Sequence, residues 1–216
     1  DALEMVARTD PGIIRSHNED AIFVDASLGV TILADGMGGY NAGEVASGMA
    51  TMRLAEDIAR IIVSEAERGR GLSDAAVVEQ HIFNEVAAAN SAIFNASQSS
   101  AQYAGMGTTL VMAWFYDNRM SVAHIGDSRL YRLRNRRLEQ LTRDHSLLQE
   151  QLDNGIITPE QARNSENRNL VTRALGVDPE VDIEVHDYDV CAGDIILLCS
   201  DGLNDMVEDD EIELAL

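Results

Sequence analysis

Three aspartates share one local grammar. Asp35 in Asp35-Gly36-Met37-Gly38-Gly39, Asp127 in Gly126-Asp127-Ser128-Arg129 and Asp201 in Ser200-Asp201-Gly202 each end an apolar run, and each has a glycine beside it. A strand-like run that ends in a carboxylate delivers that acid to the rim of a sheet. The adjacent glycine lets the backbone bend and brings a carbonyl or a ligand close. One Asp-Gly alone is a turn dipeptide. Three carboxylates at one rim repel unless something compensates them, and a hard divalent cation held through oxygen does so. Carboxylate, carbonyl and water ligands suit Mg²⁺ or Mn²⁺. No histidine or cysteine spacing matches a zinc site, and no segment matches the twelve-residue calcium loop. A fourth segment, Arg15-Ser16-His17-Asn18-Glu19-Asp20, adds a guanidinium that can offer a phosphate two parallel hydrogen bonds. The plain alternative for Arg15 is a surface salt bridge to Glu19 or Asp20.

The elements that must hold these acids read as strands interrupted by one block of helix. Residues 1–8 and 21–34 read as strands, followed by two long helical patterns. The first opens with Asn41 three residues before Glu44, a capping-box spacing, and carries apolar stripes through Val45, Met49, Met52 and Ile62 and through Leu54, Ile58 and Ile61. Arg68-Gly69-Arg70-Gly71 breaks it, and a second helix starts near Ser73. Strands return at 108–115, 120–125, 129–134 and 137–141, with Asp117-Asn118 as a hairpin turn. Residues 144–173 read as polar helix with the character of a flap. Strands over 181–188 and 194–200 follow, the latter apolar enough to be buried on both faces. Strand runs around two long helices predict an α+β fold.

The bulk composition narrows the chemistry. The 216 residues carry 16 basic and 37 acidic side chains, a formal charge of −21, and every Lys-or-Arg position is arginine. Without lysine there is no P-loop or kinase-type phosphate lysine and no Schiff base. The acidity argues against nucleic-acid binding, which needs a basic face. Arg132, Arg134 and Arg136 alternate onto one strand face and read as a solvated or phosphopeptide-docking surface. No apolar run reaches the roughly 20 residues of a membrane span, and no signal peptide is evident. Cys191 and Cys199 read as reduced core residues of a cytoplasmic protein. Trp114 and most of the methionines read as core.

Taken in order, Arg15 with Asn18-Glu19-Asp20, Asp35-Gly36-Met37-Gly38-Gly39, Gly107-Thr108-Thr109, Gly126-Asp127-Ser128-Arg129, Asp144-His145-Ser146 and Ser200-Asp201-Gly202 resemble the metal-dependent PPM (PP2C-type) serine/threonine protein phosphatases in their compact bacterial form. The match runs from about residue 3 to the C-terminus. It implies a four-layer αββα sandwich, two central and mostly antiparallel sheets flanked by helix pairs. It implies one catalytic domain over 1–216, with a flap subdomain over 144–173. It also implies site roles. Asp35 would bridge two Mn²⁺ or Mg²⁺ ions, the Gly36 carbonyl would complete the second site, and Asp201 would bind the first. Asp127 with Asp201 would hold a third ion. Glu19 would act on the second ion's side through water, Asp20 would orient ligands, and Arg15 would hold the substrate phosphate. Thr108 and Thr109 would pack near the metal rim.

The reaction implied is hydrolysis of phosphoserine and phosphothreonine in proteins by direct attack of a metal-bridging water. The partners implied are phosphorylated proteins, including a Ser/Thr kinase and its substrates, met by a monomer without nucleic acid. Where some members place a histidine general acid, this chain has Met37, which donates no proton. His145 and His17 are the remaining candidates, beside their plain reading as structural or exposed histidines. The family continues with a helix, a glycine-rich turn and a strand beginning near an Asp-Asn pair that supplies a further ligand. The sequence stops at Leu216, before that point, and Asp209 and Asp210 fall at a helix start. The alternative is a phosphatase-like regulatory or phosphoprotein-binding module with weakened turnover.

Overall fold

The computed structural model describes residues 3–39, 41–69, 71–165, 167 and 170–216. The first hairpin joins β1 (Asp20–Asp25) to β2 (Val30–Met37). The Asp25 carboxylate caps the turn, accepting from the Ser27 and Leu28 amides at 2.8 and 3.1 Å. Helices α1 (Ala42–Glu67) and α2 (Ala75–Ser99) follow. Then come β3 (Gly107–Thr108), β4 (Leu110–Tyr116), β5 (Arg119–Ile125), β6 (Arg129–Arg134) and β7 (Arg137–Gln140). Short helices α3 (Leu147–Asp153) and α4 (Pro159–Arg163) precede β8 (Glu184–Asp189) and β9 (Ile195–Cys199). Helices α5 (Asp201–Asn204) and α6 (Asp209–Ala215) close the chain.

Two antiparallel sheets form, one in the order β1-β2-β4-β5-β8 with β3 added on β2, the other in the order β7-β6-β9. Asp117 and Asn118 both have positive φ, 44° and 58°, so the β4–β5 hairpin closes through a turn whose twist suits the strands. Strand β4 alternates between two cores. Leu110, Met112 and Trp114 face the helices with Ile32, Leu54, Ile58, Ile82 and Ile93. Val111 and Ala113 face the other sheet with Leu33, Met120, Val122 and Leu130. The order is therefore helix pair, six-stranded sheet, three-stranded sheet, with α6 packed beside β7.

Several expectations need correction. Residues 3–8 form no strand: Val6 is 90% exposed, and among the described residues no partner strand receives the run. The expected start of that strand, residues 1 and 2, lies outside the described residues. Asn41 sits at the N-cap of α1 with φ −107° and ψ 18°, a backbone geometry in which its side chain makes no capping bond. Helix α2 begins two residues later than expected, capped by Asp74 on the Ala76 amide at 2.9 Å. Arg70 of the break between the helices lies outside the described residues, whereas Gly69 takes φ +69° at the end of α1.

Strand β9 is not buried on both faces. Among the described residues it pairs with β6 alone, which leaves Ile195 exposed. Cys191 is exposed in a turn, whereas Cys199 is buried and unreactive, its thiol pushed up to about 12 chiefly by burial. Met52 and Met206 are exposed, while Met106, Met112 and Met120 are core. Arg132 and Arg134 pair with Glu139 and Asp194, and Arg136 lies in the β6–β7 turn, so no alternating basic stripe forms. The proposed flap, in which Glu166, Arg168 and Asn169 lie outside the described residues, is tied at its base. The Leu147 amide donates to Leu170 O and the Thr172 amide to His145 O, both at 2.9 Å.

Candidate active site

The β1–β2 register sets Asp20 directly opposite Asp35. Directly opposed residues of an antiparallel pair stand about 5 Å apart at Cβ, and like charges there repel. Two threonines hold the backbone of Asp35. Its amide donates to Thr109 Oγ1 at 3.0 Å, and its carbonyl accepts from the Thr109 amide at 2.9 Å and from Thr108 Oγ1 at 3.0 Å. Thr109 Oγ1 also lies 2.7 Å from Ser128 Oγ, which joins β2 to the turn carrying Asp127. Ser200 Oγ donates to Asp20 Oδ2 at 2.8 Å, which joins β1 to the segment carrying Asp201 at the start of α5. Three motifs separated by 166 residues thus meet at one rim.

The electrostatics of the rim follow from that meeting. Burial, then the charges of Asp20, Asp201 and Asp127, push the Asp35 carboxyl up to about 8. Burial, then Asp201 and Asp144 and more weakly Asp205, push Asp127 up to about 7. The principal charges acting on both acids are negative. The donor set is all hard oxygen, which fits a Mg²⁺ or Mn²⁺ centre and does not fit a soft metal.

Glu19 and Gly36 form the second side of the rim. The Gly36 amide donates to Glu19 O at 2.9 Å. A Cβ at Gly36 would overlap the Gly43 carbonyl oxygen at the start of α1 and come within 2.8 Å of Glu19 O. Close approach of two backbones therefore requires glycine here. We expect Gly36→Ala to cost about 3 kcal/mol of stability or more, because backbone atoms cannot swing aside as side chains do. A urea midpoint equal to that of the wild type would contradict this.

The sequence pattern of protein phosphatase 2C matches residues 15–215, the whole of this constellation. The chain belongs to the protein phosphatase 2C family. The serine/threonine phosphatase stp of Listeria welshimeri is 40% identical over 209 residues, covering 95% of this chain and 80% of that protein. The crystal structure of Mycobacterium tuberculosis PstP/Ppp superimposes with a TM-score of 0.84 at 39% identity, covering 96% of this chain and 82% of that one. A structure of the PstP catalytic domain in complex with two manganese ions gives a TM-score of 0.81 at 39% identity, covering 96% and 81%. The sandwich expected from the sequence is the fold these phosphatases share.

Within this phosphatase 2C chain, the predicted Asp20, Asp35, Asp127 and Asp201 come together. Arg15 does not stand free: its guanidinium lies 2.6 Å from Glu19 Oε2, with the Arg15 side chain 68% exposed. This is the ion pair that the sequence left open as an alternative. Thr108 and Thr109, expected to pack near the rim, hold the Asp35 backbone through their hydroxyls. His17 is exposed, and His145 is buried with both ring nitrogens engaged. Two acids at the rim had no assigned role. Asp205 follows Asp201 by one helical turn, a spacing that marks it as a same-face neighbour. Asp144 receives Arg129 in a two-pronged pair, at 2.7 Å to the nearer oxygen, and a bond from Gln140.

Proposed function

We propose that Asp35, the Gly36 carbonyl, Asp127 and Asp201 hold the divalent cations of this enzyme, Mn²⁺ or Mg²⁺, two at the catalytic centre and a third nearby. The chain is a metal-dependent serine/threonine protein phosphatase. The observation that carries the site assignment is the convergence of the acids at one rim: the β1–β2 register sets Asp20 against Asp35, Ser200 ties Asp20 to the segment of Asp201, and Thr109 links Asp35 to the turn of Asp127. When bound, such cations neutralise phosphoryl oxygens and lower the pKa of a water molecule to near 7.

The chain's own residues do the rest. Thr108 and Thr109 fix the direction of Asp35 through its backbone, so the carboxylate needs little reorganisation on binding. Asp20, held by Ser200, orients groups on the β1 side, and Glu19 reaches the second side of the rim through water. Arg15 exchanges its bond to Glu19 for two parallel bonds to the substrate phosphate. Met37 donates no proton, and neither nitrogen of buried His145 is free to do so, which leaves water or exposed His17 to protonate the leaving oxygen. The 144–173 segment acts as a flap that contributes to substrate choice. The substrates are phosphorylated proteins, among them a Ser/Thr kinase and its targets, met by a monomer. No helix among the described residues is long and apolar enough to cross a membrane, and the two free thiols suit a cytoplasmic setting.

The test is phosphate release from a phosphothreonine peptide with Mn²⁺, with and without chelator. Metal-dependent release is expected, and chelator-resistant release would overturn the mechanism. Absence of release from the metal-loaded protein would favour the binding-module alternative, which no observation on the structure favours. Arg15→Ala is expected to raise KM for the peptide about tenfold and leave Tm within about 2 °C, because an exposed ion pair contributes little to stability. An unchanged KM would remove Arg15 from the site.

A further inference from the structure

A second cluster lies beside the rim. His124 on β5, Glu184 on β8 and His145 after β7 each place a side-chain nitrogen or oxygen within 4.8 Å of the others. The β5–β8 register pairs His124 directly with Glu184, and the His145 ring stacks on His124 with centroids 4.8 Å apart and planes at 17°. The trio has the composition of a transition-metal site, but its hydrogen bonds argue otherwise. The Gly126 amide points at His145 Nδ1 from 3.1 Å, so Nδ1 holds a lone pair. A neutral imidazole then carries its proton on Nε2, which donates to Glu184 Oε1 at 3.0 Å. That proton occupies the atom a metal would need. The in-plane lone pairs of two nearly parallel stacked rings also fail to converge on one point.

The same bonds point elsewhere. His145 grips the Gly126 peptide from both ends: its own amide donates to Gly126 O at 2.8 Å while its Nδ1 accepts from Gly126 N. Gly126 takes φ +99°, and a Cβ there would come within 2.7 Å of Thr109 Cγ2, so this peptide is also wedged against the threonine that braces Asp35. The next residue is Asp127. His124 gives a bond to Arg143 O at 2.8 Å and presents its face as a fixed platform under the His145 ring.

We propose that His145 is a positioning residue of the metal centre: Glu184 sets its tautomer, and the resulting Nδ1 acceptor clamps Gly126 and thereby aims the Asp127 carboxylate. This rests on the reading of Asp127 as a metal ligand. Asparagine and glutamine separate the two bonds of His145. The Asn side-chain oxygen occupies the place of Nδ1, and the Gln side-chain nitrogen that of Nε2. In calorimetric titration of the full chain with Mn²⁺, His145→Asn is expected to stay within about threefold of the wild-type affinity. His145→Gln should weaken it about tenfold or more, in the range seen when a group that orients a metal ligand is lost. Both variants should lose similar Tm in chelator, since each leaves one buried bond unmade.

If neither variant folds, Glu184 on the edge strand β8 gives the second pair. Glu184→Gln keeps an acceptor for Nε2–H and should titrate as wild type, while Glu184→Leu should weaken binding. Equal titration of His145→Asn and His145→Gln, or of the Glu184 pair in their place, overturns the proposal. Asp127→Asn separates the two levels. If it titrates as wild type, the ligand reading falls and the proposal falls with it. If it weakens binding while the His145 pair titrates equally, the proposal falls alone.

Discussion

Asp35→Ala is expected to lower kcat by about 10³-fold or more, a loss of roughly 4 kcal/mol of transition-state stabilisation. Asp35 is the rim acid on which three other acids act, and its backbone is held by three hydrogen bonds to Thr108 and Thr109. Two neighbouring carboxylates are held away from its place, Asp20 by its bond from Ser200 and Asp127 on its own clamped turn. Stability should move the other way. Asp35→Asn keeps the shape and removes an acid that the metal-free fold must hold protonated at a cost, so in chelator its Tm should equal or exceed that of the wild type. A functional residue whose removal relieves the fold is the signature of a site built for an ion. Turnover within tenfold of the wild type, or a large fall of Tm in chelator, would contradict this.

The second expectation concerns metal removal and pH. Burial and the neighbouring acids hold the Asp35 and Asp127 carboxyls up at about 8 and about 7 in the folded protein, against 3.8 for an aspartate in an open chain. Between about pH 4 and pH 8 the unfolded chain has therefore released protons that the folded chain still holds. Folding then binds protons, so stability falls as pH rises through this window and levels off above the folded values. In chelator, Tm should fall between pH 5 and pH 8 by about 5–10 °C, equivalent to a few kcal/mol for a chain of this size. Saturating Mn²⁺ should remove most of that fall, since an ion bound only by the folded state stabilises it and favours the ionised carboxylates. The net charge of −21 adds a general repulsion of its own. The control is the double variant Asp35→Asn, Asp127→Asn, which should show a much shallower slope in chelator. The same slope in wild type and double variant would place the effect outside the rim.

The parts legible in the sequence were those with a local signal. Asp127 and Asp201 each follow an apolar strand by two residues, and Asp35 lies two residues short of the end of β2, so each carboxylate is carried to the same rim by a strand visible in the sequence. The Asp117-Asn118 turn was legible because both residues tolerate positive φ. Features decided by tertiary pairing were not. Residues 1–8 read as a strand, but the described part, 3–8, pairs with no strand among the described residues. Asn41 has the spacing of a cap without its backbone geometry. Cys191 borders an apolar run yet falls in an exposed turn. The His124–His145–Glu184 cluster draws on residues up to 60 positions apart, joined only by the β5–β8 register and the return of the chain after β7. Arg15 was recognised by type, but its present partner, Glu19, could be settled only by coordinates.

The most direct test of the carboxylate rim as the metal centre is an anomalous difference map from a crystal grown with Mn²⁺. Peaks bounded by Asp35, the Gly36 carbonyl and Asp201, with a further one beside Asp127, are the expected result. Mn²⁺ bound at His124, His145 and Glu184 with the rim empty would contradict it.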